Sequence, residues 1–213
     1  MSSRTKVKVC GITNQEDAAA AAEAGADAVG FVFHRTSPRY IMPAVAKNIV
    51  FSLPPFVIPV GVFVNEEINT VRTIMDSCGL ALAQLHGDET VSYCQELGRP
   101  VIKAIRVKDR GTFLTVAELQ GRAGVRCILI DAYSENAYGG TGQSVDWELT
   151  AEVTKDVPIL LAGGLTPENV AQAIRIVRPY GVDVSSGVES VPGKKDHAKI
   201  HKFIDVVRLV SQV

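Results

Sequence analysis

The sequence has 213 residues, and its 22 Lys and Arg residues against 23 Asp and Glu residues give a formal net charge of −1. A chain this close to neutrality has no overall attraction to polyanions, so neither nucleic acid nor an anionic membrane is predicted as a partner. Hydrophobic residues make up 46% of the chain, which is too high a fraction for a disordered protein. The length and the composition favour one globular domain over residues 1–213.

Targeting and redox signals in the sequence favour the cytoplasm. The N-terminal run MSSRTKVKVCGITNQ lacks the apolar centre of a secretory signal, and no stretch approaches the length of a membrane span. The four cysteines are Cys10, Cys78, Cys94 and Cys127, and no two of them form a CxxC pair. Scattered cysteines in a chain of this length are typical of reduced thiols.

One unit repeats along the chain: a short apolar run rich in β-branched residues, a turn, and an amphipathic stretch rich in Ala, Leu or Ile. The apolar runs predict strands at Lys6–Gly11, Ala28–Phe33, Val57–Val64, Leu80–Leu85, Val101–Arg106, Cys127–Asp131, Ile159–Ala162 and Val182–Val184. The amphipathic stretches predict helices at Glu16–Ala24, Pro43–Ser52, Glu66–Cys78, Asp88–Leu97, Leu114–Gln120, Trp147–Val153, Pro167–Val177 and Lys194–Val210.

This alternation of strands and helices predicts an α/β fold with a parallel sheet, because each helix returns the chain to the same end of the sheet. The strands are continuous apolar runs, as expected when both faces of the sheet are covered. Eight such units favour a closed (β/α)₈ TIM barrel, and a doubly wound open sheet is the alternative. In a barrel, the chemistry lies on the loops that follow the strands.

Two titratable residues end predicted strands on that face. Cys10 ends the first strand, and it is either a buried structural thiol or a thiolate that acts as base or nucleophile. Asp131 ends the sixth strand, and it either caps the next segment or acts as a general acid. The first and sixth strands of a barrel are not neighbours, so these side chains would reach one substrate from two sides as an acid/base pair.

Two further residues on that face are candidates for substrate binding. Arg39 lies in the loop HRTSPRY after the second strand, and it is either a solvated charge or a bidentate partner for a carboxylate. His86 follows the fourth strand in QLHGDE, and it either orients the substrate or supports the residues that do. We place both among the predicted substrate-binding residues.

The loops after the seventh and eighth strands are rich in glycine and serine. Barrels commonly bind phosphate on these two loops, through backbone N–H groups and a helix N-terminus. The alternative is that the glycines only form turns. The predicted phosphate-binding residues are Gly163, Gly164, Ser185, Ser186 and Gly187. The segment Tyr138–Gly142, after the sixth strand, is either a lid or anion-binding nest, or a plain flexible loop.

The motifs that bind common cofactors are missing from the sequence. No GxGxxG follows the first strand, and the Gly193–Lys195 run lacks the spacing of a P-loop. His197 and His201 have the i, i+4 spacing of a zinc site, but no third ligand accompanies them in the sequence. We therefore predict neither a cofactor nor a metal.

Eight segments occur in order along the chain: KVCGIT, GFVFHRTSPRY, GVFVN, QLHGDE, IKAIRV, GGTG, LAGGLTPENV and VDVSSGVE. As a set they closely resemble the phosphoribosylanthranilate isomerase family, and the resemblance covers essentially the whole chain. KVCGIT together with the distant DVSSGVE is the specific part of the resemblance, whereas GGTG alone is weak. One departure is Gln143-Ser144-Val145, where the family pattern has Lys and an aromatic residue.

The resemblance implies a cofactor-independent barrel of tryptophan biosynthesis that converts N-(5′-phosphoribosyl)anthranilate to 1-(o-carboxyphenylamino)-1-deoxyribulose 5-phosphate. It implies that Cys10 is the catalytic base and Asp131 the catalytic acid. It also implies that Arg39 contacts the anthranilate carboxylate and that Asp183 contacts the substrate. The partner is then a small phosphorylated sugar, bound at the glycine- and serine-rich loops.

Three alternatives are open at this stage. The first is a bifunctional isomerase that also accepts the homologous histidine-pathway substrate. Related barrels with that activity resemble one another in having two aspartates at the site, so Cys10 counts against this alternative. An indole-glycerol-phosphate synthase needs a catalytic lysine, for which Lys103 is a lone candidate. A phosphate-binding barrel without catalysis belongs to a different class, and retention of Cys10 and Asp131 counts against it. The sequence is compatible with a monomer and with a homodimer.

Overall fold

Eight parallel strands form a closed barrel in a computed structural model that describes residues 4–107, 119, 124–132, 147–153 and 158–211. The strands are β1 Lys6–Cys10, β2 Ala28–Val32, β3 Ile58–Phe63, β4 Leu82–Leu85, β5 Val101–Val107, β6 Val125–Ala132, β7 Ile159–Leu161 and β8 Gly181–Val184. Each strand pairs with its neighbours in chain order, and the ends of the strands lie within two residues of the predicted ends.

The barrel closes where β1 pairs with β8. Four register pairs join these strands, and they include Lys8 opposite Asp183 and Val9 opposite Val184. An open sheet would leave both of these strands with an unpaired edge, so the pairing excludes the doubly wound alternative. The predicted (β/α)₈ barrel is confirmed.

Seven helices lie among the described residues. They are α1 Gln15–Ala24, α2 Pro43–Ser52, α3 Ile68–Cys78, α4 Val91–Leu97, α5 Trp147–Val153, α6 Val170–Val177 and α7 His197–Val210. The predicted helix at Leu114–Gln120 lies outside the described residues apart from Leu119, and the predicted lid or nest at Tyr138–Gly142 lies outside them entirely.

Four helices begin two or three residues later than the sequence predicts. The predicted starts at Glu66, Asp88 and Lys194 are wrong because a capping side chain stands before each helix. Glu67, Thr90 and Asp196 accept hydrogen bonds from the backbone N–H three residues on, at 2.9, 3.2 and 3.1 Å. Such a cap satisfies a donor that the first helical turn leaves free. The fourth helix, α6, follows a turn that begins at Thr166 instead of starting at Pro167.

A short hairpin precedes α7, where the sequence predicts the start of that helix. Its strands are β9 Glu189–Val191 and β10 Lys194–Lys195, and they pair antiparallel. The carboxylate of Asp17, buried on α1, accepts a bond from the Lys195 backbone N–H at 2.8 Å and contacts His197 Nε2 at 2.9 Å. Asp17 thus joins the end of the hairpin and the first residue of α7 to α1.

Two apolar layers build the core. The larger one lies between the strands and the helices, and it includes Phe31, Phe63, Leu97 and Phe203, each at most 1% exposed. The smaller one fills the inside of the barrel with Val60, Ile102, Ala104, Leu129, Leu160 and Ala162. Because apolar side chains fill the barrel, polar groups that a substrate can reach are confined to its ends. Within the described ranges, no helix is both long and apolar enough to cross a membrane.

Candidate active site

A cavity opens at the carboxyl ends of the strands, and we call it the mouth cavity. It brings together nine of the ten predicted site residues, which are Cys10, Arg39, His86, Asp131, Gly163, Gly164, Asp183, Ser185 and Ser186. These residues come from six of the eight strand–loop units of the barrel. Gly187 is the exception: it packs against the backbone of Leu165, where a Cβ would overlap the carbonyl oxygen. Its role at the phosphate stays a prediction.

Cys10 lies at the end of β1 above a buried ion pair. Lys8 Nζ lies 2.9 Å from Asp183 Oδ1, and the two side chains are 2% and 8% exposed. Burial raises the pKa of the Cys10 thiol, the Lys8 ammonium opposes this rise, and the Asp183 carboxylate adds to it, so that the net direction is upward. The thiol therefore needs its cationic neighbour in order to ionise.

Gly30, on β2, leaves the space that Cys10 and Lys8 occupy. It is the register partner of Cys10, and a Cβ built on it would lie 2.8 Å from Cys10 Sγ and 3.1 Å from Lys8 Nζ. Gly11 has a similar role one residue beyond Cys10, with a φ of +79° and Arg39 Cδ 2.6 Å from its would-be Cβ. These two glycines leave room for the Lys8 ammonium beside Cys10 and for the Arg39 side chain beside Gly11.

Asp131 is held by His86 on the opposite side of the mouth cavity. Asp131 Oδ2 lies 3.1 Å from His86 Nε2, and both side chains are under 10% exposed. Gln84 Nε2 lies 2.9 Å from His86 Nδ1. Since an amide nitrogen only donates, Nδ1 accepts this bond, and the ring proton then lies on Nε2, where it donates to Asp131. His86 therefore aims the carboxyl group of Asp131 whether or not it also touches substrate.

Lys103 stabilises the loop that carries His86 through buried hydrogen bonds. This lysine on β5 donates to the carbonyl oxygens of Leu85 and Gly87 at 3.1 and 2.7 Å, and it pairs with Glu89 Oε2 at 2.9 Å. Glu89 in turn accepts from the backbone N–H groups of Asn65 and Gly87. Lys103 is 5% exposed and does not line the mouth cavity, so it is not placed to act as the catalytic lysine of a synthase.

Arg39 is oriented by an acidic partner that the sequence does not reveal. Its Nε and Nη2 donate to the two carboxylate oxygens of Glu189 at 2.7 Å each, and Lys195 Nζ donates to the same carboxylate at 3.0 Å. Burial favours protonation of Glu189, but Arg39 and Lys195 outweigh it and lower the pKa of that carboxyl. A substrate carboxylate can then use the Nη1–Nη2 edge of the same guanidinium.

The loops after β7 and β8 meet at the opposite rim from His86. Gly163 and Gly164 both have positive φ, and the carbonyl oxygen of Gly164 accepts from Asn169 Nδ2 at 2.9 Å. The hydroxyl of Ser185 is buried and has no hydrogen-bond partner among the described residues. A buried donor without a partner is costly, and a ligand oxygen at this position would satisfy it.

Four residues of the site escape sequence-based reasoning: Lys8, Gln84, Glu189 and Lys195. Lys8 and Gln84 do carry a signal, because each is a polar residue inside a strand, two positions before Cys10 or His86. In a strand, residues two apart share a face, so each points to the same side as the known candidate. Glu189 and Lys195 carry no such signal, since they lie in the segment predicted as a loop and the start of a helix.

Comparison with known proteins identifies the family. The family model described as N-(5′-phosphoribosyl)anthranilate (PRA) isomerase matches residues 7–206. The chain belongs to this family. A PRA isomerase from Trichlorobacter lovleyi is 54% identical over 200 residues, which is 93% of this chain and 96% of that protein. One from Geotalea uraniireducens is 53% identical over 200 residues, with 94% and 97% covered.

Solved PRA isomerase structures have the same fold. The enzyme from Thermotoga maritima is 43% identical, covers 95% of this chain and 98% of its own, and superposes with a TM-score of 0.88. Another structure, also 43% identical with the same coverage and a TM-score of 0.85, is a complex with reduced 1-(o-carboxyphenylamino)-1-deoxyribulose 5-phosphate. A further Thermotoga maritima structure, 41% identical, is described as monomers generated from a dimeric enzyme.

The first prediction concerns Gly30. The change Gly30→Ala places a methyl group against Cys10 Sγ, so we expect kcat to fall about 10-fold or more, since small displacements of reacting groups are costly. The measurement is steady-state kinetics on PRA with the folded fraction checked by circular dichroism. The matched control is Gly61→Ala on β3, where the methyl group meets Leu80 and Phe63 instead. Equal loss of kcat in the two variants would contradict the prediction.

The second prediction concerns Lys103. The change Lys103→Met leaves Glu89 as a buried, unpaired charge, and we expect the free energy of unfolding to fall by about 3–5 kcal/mol. Urea unfolding measures this difference. The control is Lys202→Met, which breaks the exposed pair with Glu168 at 2.8 Å and should cost under about 1 kcal/mol. A similar loss in both variants would show that the buried network has no special role.

Proposed function

We propose that the mouth cavity isomerises N-(5′-phosphoribosyl)anthranilate in tryptophan biosynthesis, with Asp131 as general acid and Cys10 as general base. The observation that carries this assignment is that the two side chains enter one cavity from β6 and β1. An isomerisation from aldose amine to ketose amine needs one proton donor and one proton acceptor at the same substrate, and these strands are not neighbours in the barrel.

In the first step, Asp131 gives its proton to the ring oxygen of the ribose. The bond between C1′ and the ring oxygen breaks, and the nitrogen lone pair forms a C1′–N double bond, so that the sugar opens to a protonated Schiff base. The carboxylate that Asp131 becomes accepts a hydrogen bond from His86 Nε2, which lies 3.1 Å away. Donation to the charged form stabilises it as it develops.

In the second step, the Cys10 thiolate removes the proton from C2′. The electron pair of that C–H bond forms a C1′–C2′ double bond and neutralises the nitrogen, which gives an enolamine. The enolamine then tautomerises to the ketose product as C1′ gains a proton and the C2′ hydroxyl loses one to become a carbonyl. A thiolate suits the proton removal because it takes a proton from a carbon acid, and the resulting thiol gives it up again, at moderate pH.

The two charged ends of the substrate fix the reacting carbons between acid and base. We assign the phosphate to Gly163, Gly164, Ser185, Ser186 and Gly187, and the anthranilate carboxylate to Arg39. We assign Asp183 and His86 to the sugar between these ends, because both line the mouth cavity. The analogue bound in the related structure carries the same phosphate and carboxylate groups, which supports the assignment. Holding both ends reduces the entropy that the reaction must overcome.

We also infer that the enzyme works in the cytoplasm. All four cysteines are free thiols, and three of them are buried. Proteins that fold in oxidising compartments commonly pair such residues as disulfides, whereas a biosynthetic enzyme of the cytoplasm keeps them reduced.

The third prediction tests the acid/base pair directly. Cys10→Ala and Asp131→Asn should each slow the decay of PRA fluorescence by about 100-fold or more, because each removes one proton-transfer group. The matched control is Cys127→Ala, since Cys127 lines a cavity at the opposite end of the barrel. Wild-type rates in both active-site variants would overturn the assignment of roles, and no turnover by the unmodified chain would overturn the function itself.

The fourth prediction tests the role of Arg39. The change Arg39→Lys keeps the positive charge but loses the two parallel N–H donors of the guanidinium. We therefore expect KM for PRA to rise about 10-fold and kcat to change less. The measurement repeats the kinetics with an N-phosphoribosyl aniline, which lacks the carboxylate. The wild-type enzyme should bind this compound weakly, and the substitution should not weaken its binding further. Equal effects on both substrates would place the carboxylate elsewhere.

A further inference from the structure

Lys8 is a buried cation beside the active site, and neither step of the proposed reaction assigns it a role. It lies two residues before Cys10 on β1, so both side chains point to the same side of the strand, into the barrel. Its side chain is only 2% exposed. A fully buried lysine is rare unless it is paired, because removing an ammonium from water is expensive.

The surroundings of Lys8 connect it to Cys10. Its Nζ lies 2.9 Å from Asp183 Oδ1, and Asp183 is its register partner on β8. A Cβ built on Gly30 would lie 2.8 Å from Cys10 Sγ and 3.1 Å from Lys8 Nζ. The Cys10 sulfur and the Lys8 ammonium therefore lie on the same small space above Gly30, and the ammonium is bonded to Asp183.

Lys8 has no direct path to the substrate. Cys10 and Asp183 line the mouth cavity, and Lys8 does not. It lines instead the cavity at the opposite end of the barrel, together with Val60 and Leu160 of the barrel interior. Any effect of Lys8 on the reaction must therefore pass through Cys10 or Asp183.

We propose that Lys8 is a positioning residue, whose buried ammonium favours the thiolate form of Cys10, and that Asp183 keeps this ammonium charged. The inference rests on the proposed function only in taking Cys10 as the base. An ammonium next to a sulfur in a poorly solvated site favours the negatively charged sulfur, because little water is present to screen the attraction.

The charges around Cys10 support Lys8 as the deciding cation. Burial raises the pKa of the thiol, and among the groups that oppose this rise the Lys8 ammonium has the largest effect. Lys195, from the hairpin, lowers the pKa less, and Asp183 raises it. Arg39 also approaches from the loop after β2, where it is bound to Glu189.

Three other titratable residues line the mouth cavity with Cys10. His86 and Asp131 lie across the cavity and are bonded to each other, and His34 lies in the loop after β2. Lys8 itself stays charged: burial lowers its pKa, but Asp183 and Cys10 outweigh burial and raise it above the ordinary value. Asp183 therefore helps to keep Lys8 in its charged form beside Cys10.

The fifth prediction is that Lys8→Met moves the ionisation of Cys10 to higher pH. We measure alkylation of Cys10 by iodoacetamide as a function of pH, with peptide mass spectrometry to separate it from the other three thiols. The midpoint should rise by about one pH unit or more, the usual effect of losing an adjacent opposite charge. The midpoint is read instead of one rate, because a thiolate of higher pKa is also more nucleophilic and partly offsets its lower abundance.

The same change should move the acid limb of kcat/KM to higher pH. Because the thiolate is the active base, activity is lost as pH falls through the pKa of Cys10, and a higher pKa moves that loss upward. A purely structural role for Lys8 would lower the amount of folded enzyme at all pH values and would leave both midpoints in place.

Two further variants keep the test decisive. The double variant Lys8→Met, Asp183→Asn removes both charges of the pair, so no unpaired carboxylate remains. The alkylation midpoint of Cys10 in this double variant should also lie above that of the wild type. Lys47→Met removes an exposed lysine on α2 and should leave the midpoint unchanged. If the single variant does not fold by circular dichroism, the double variant decides.

An unchanged midpoint in the folded variants would overturn the role of Lys8. Alkylation requires no turnover, so this result does not depend on the proposed reaction. The assignment of Cys10 as the base is tested separately by the activity of Cys10→Ala. Wild-type activity of Cys10→Ala together with a raised midpoint in Lys8→Met would show that Lys8 controls the ionisation of Cys10. The same result would overturn the assignment of Cys10 as the catalytic base.

Discussion

The ion pair between Lys8 and Asp183 lies at the seam of the barrel. It joins the first strand to the last one, directly under the reacting face, and both side chains are almost fully buried. Breaking such a pair is far more costly than breaking one at the surface, because the remaining charge has no water to solvate it. The same contact therefore lies both where the barrel closes and beside Cys10 of the active site.

The other buried charges near the mouth cavity follow the same rule. Glu189 is shared between Arg39 and Lys195, and Glu89 is shared between Lys103 and backbone donors of the loop that carries His86. Buried ion pairs add little net stability compared with apolar packing, so stability alone does not account for them. What they provide is orientation: each holds a loop or a functional side chain in one geometry before substrate arrives.

This arrangement explains why sequence reasoning predicts Cys10 and Asp131 as catalytic residues and misses the charged residues that surround them. Cys10 and Asp131 end strands, and the strand ends of a barrel are where chemistry is expected. Lys103 is the lone candidate for the catalytic lysine of a synthase, but in the structure it is occupied with the loop carbonyls and Glu89. Glu189 lies in a hairpin that no local pattern indicates, since β9 and β10 contain only three and two residues.

The sequence by itself determined the order of strands and helices, the barrel class and the face on which the chemistry lies. Those properties follow from apolar periodicity and strand-end position, which are local features of the chain. Only the tertiary structure decided closure between β1 and β8, and which charges meet. Lys8 and Asp183 are 175 residues apart, and Arg39 and Glu189 are 150 apart. Such partners meet only after the strands have closed into a barrel, because neither carries a local pattern that names the other.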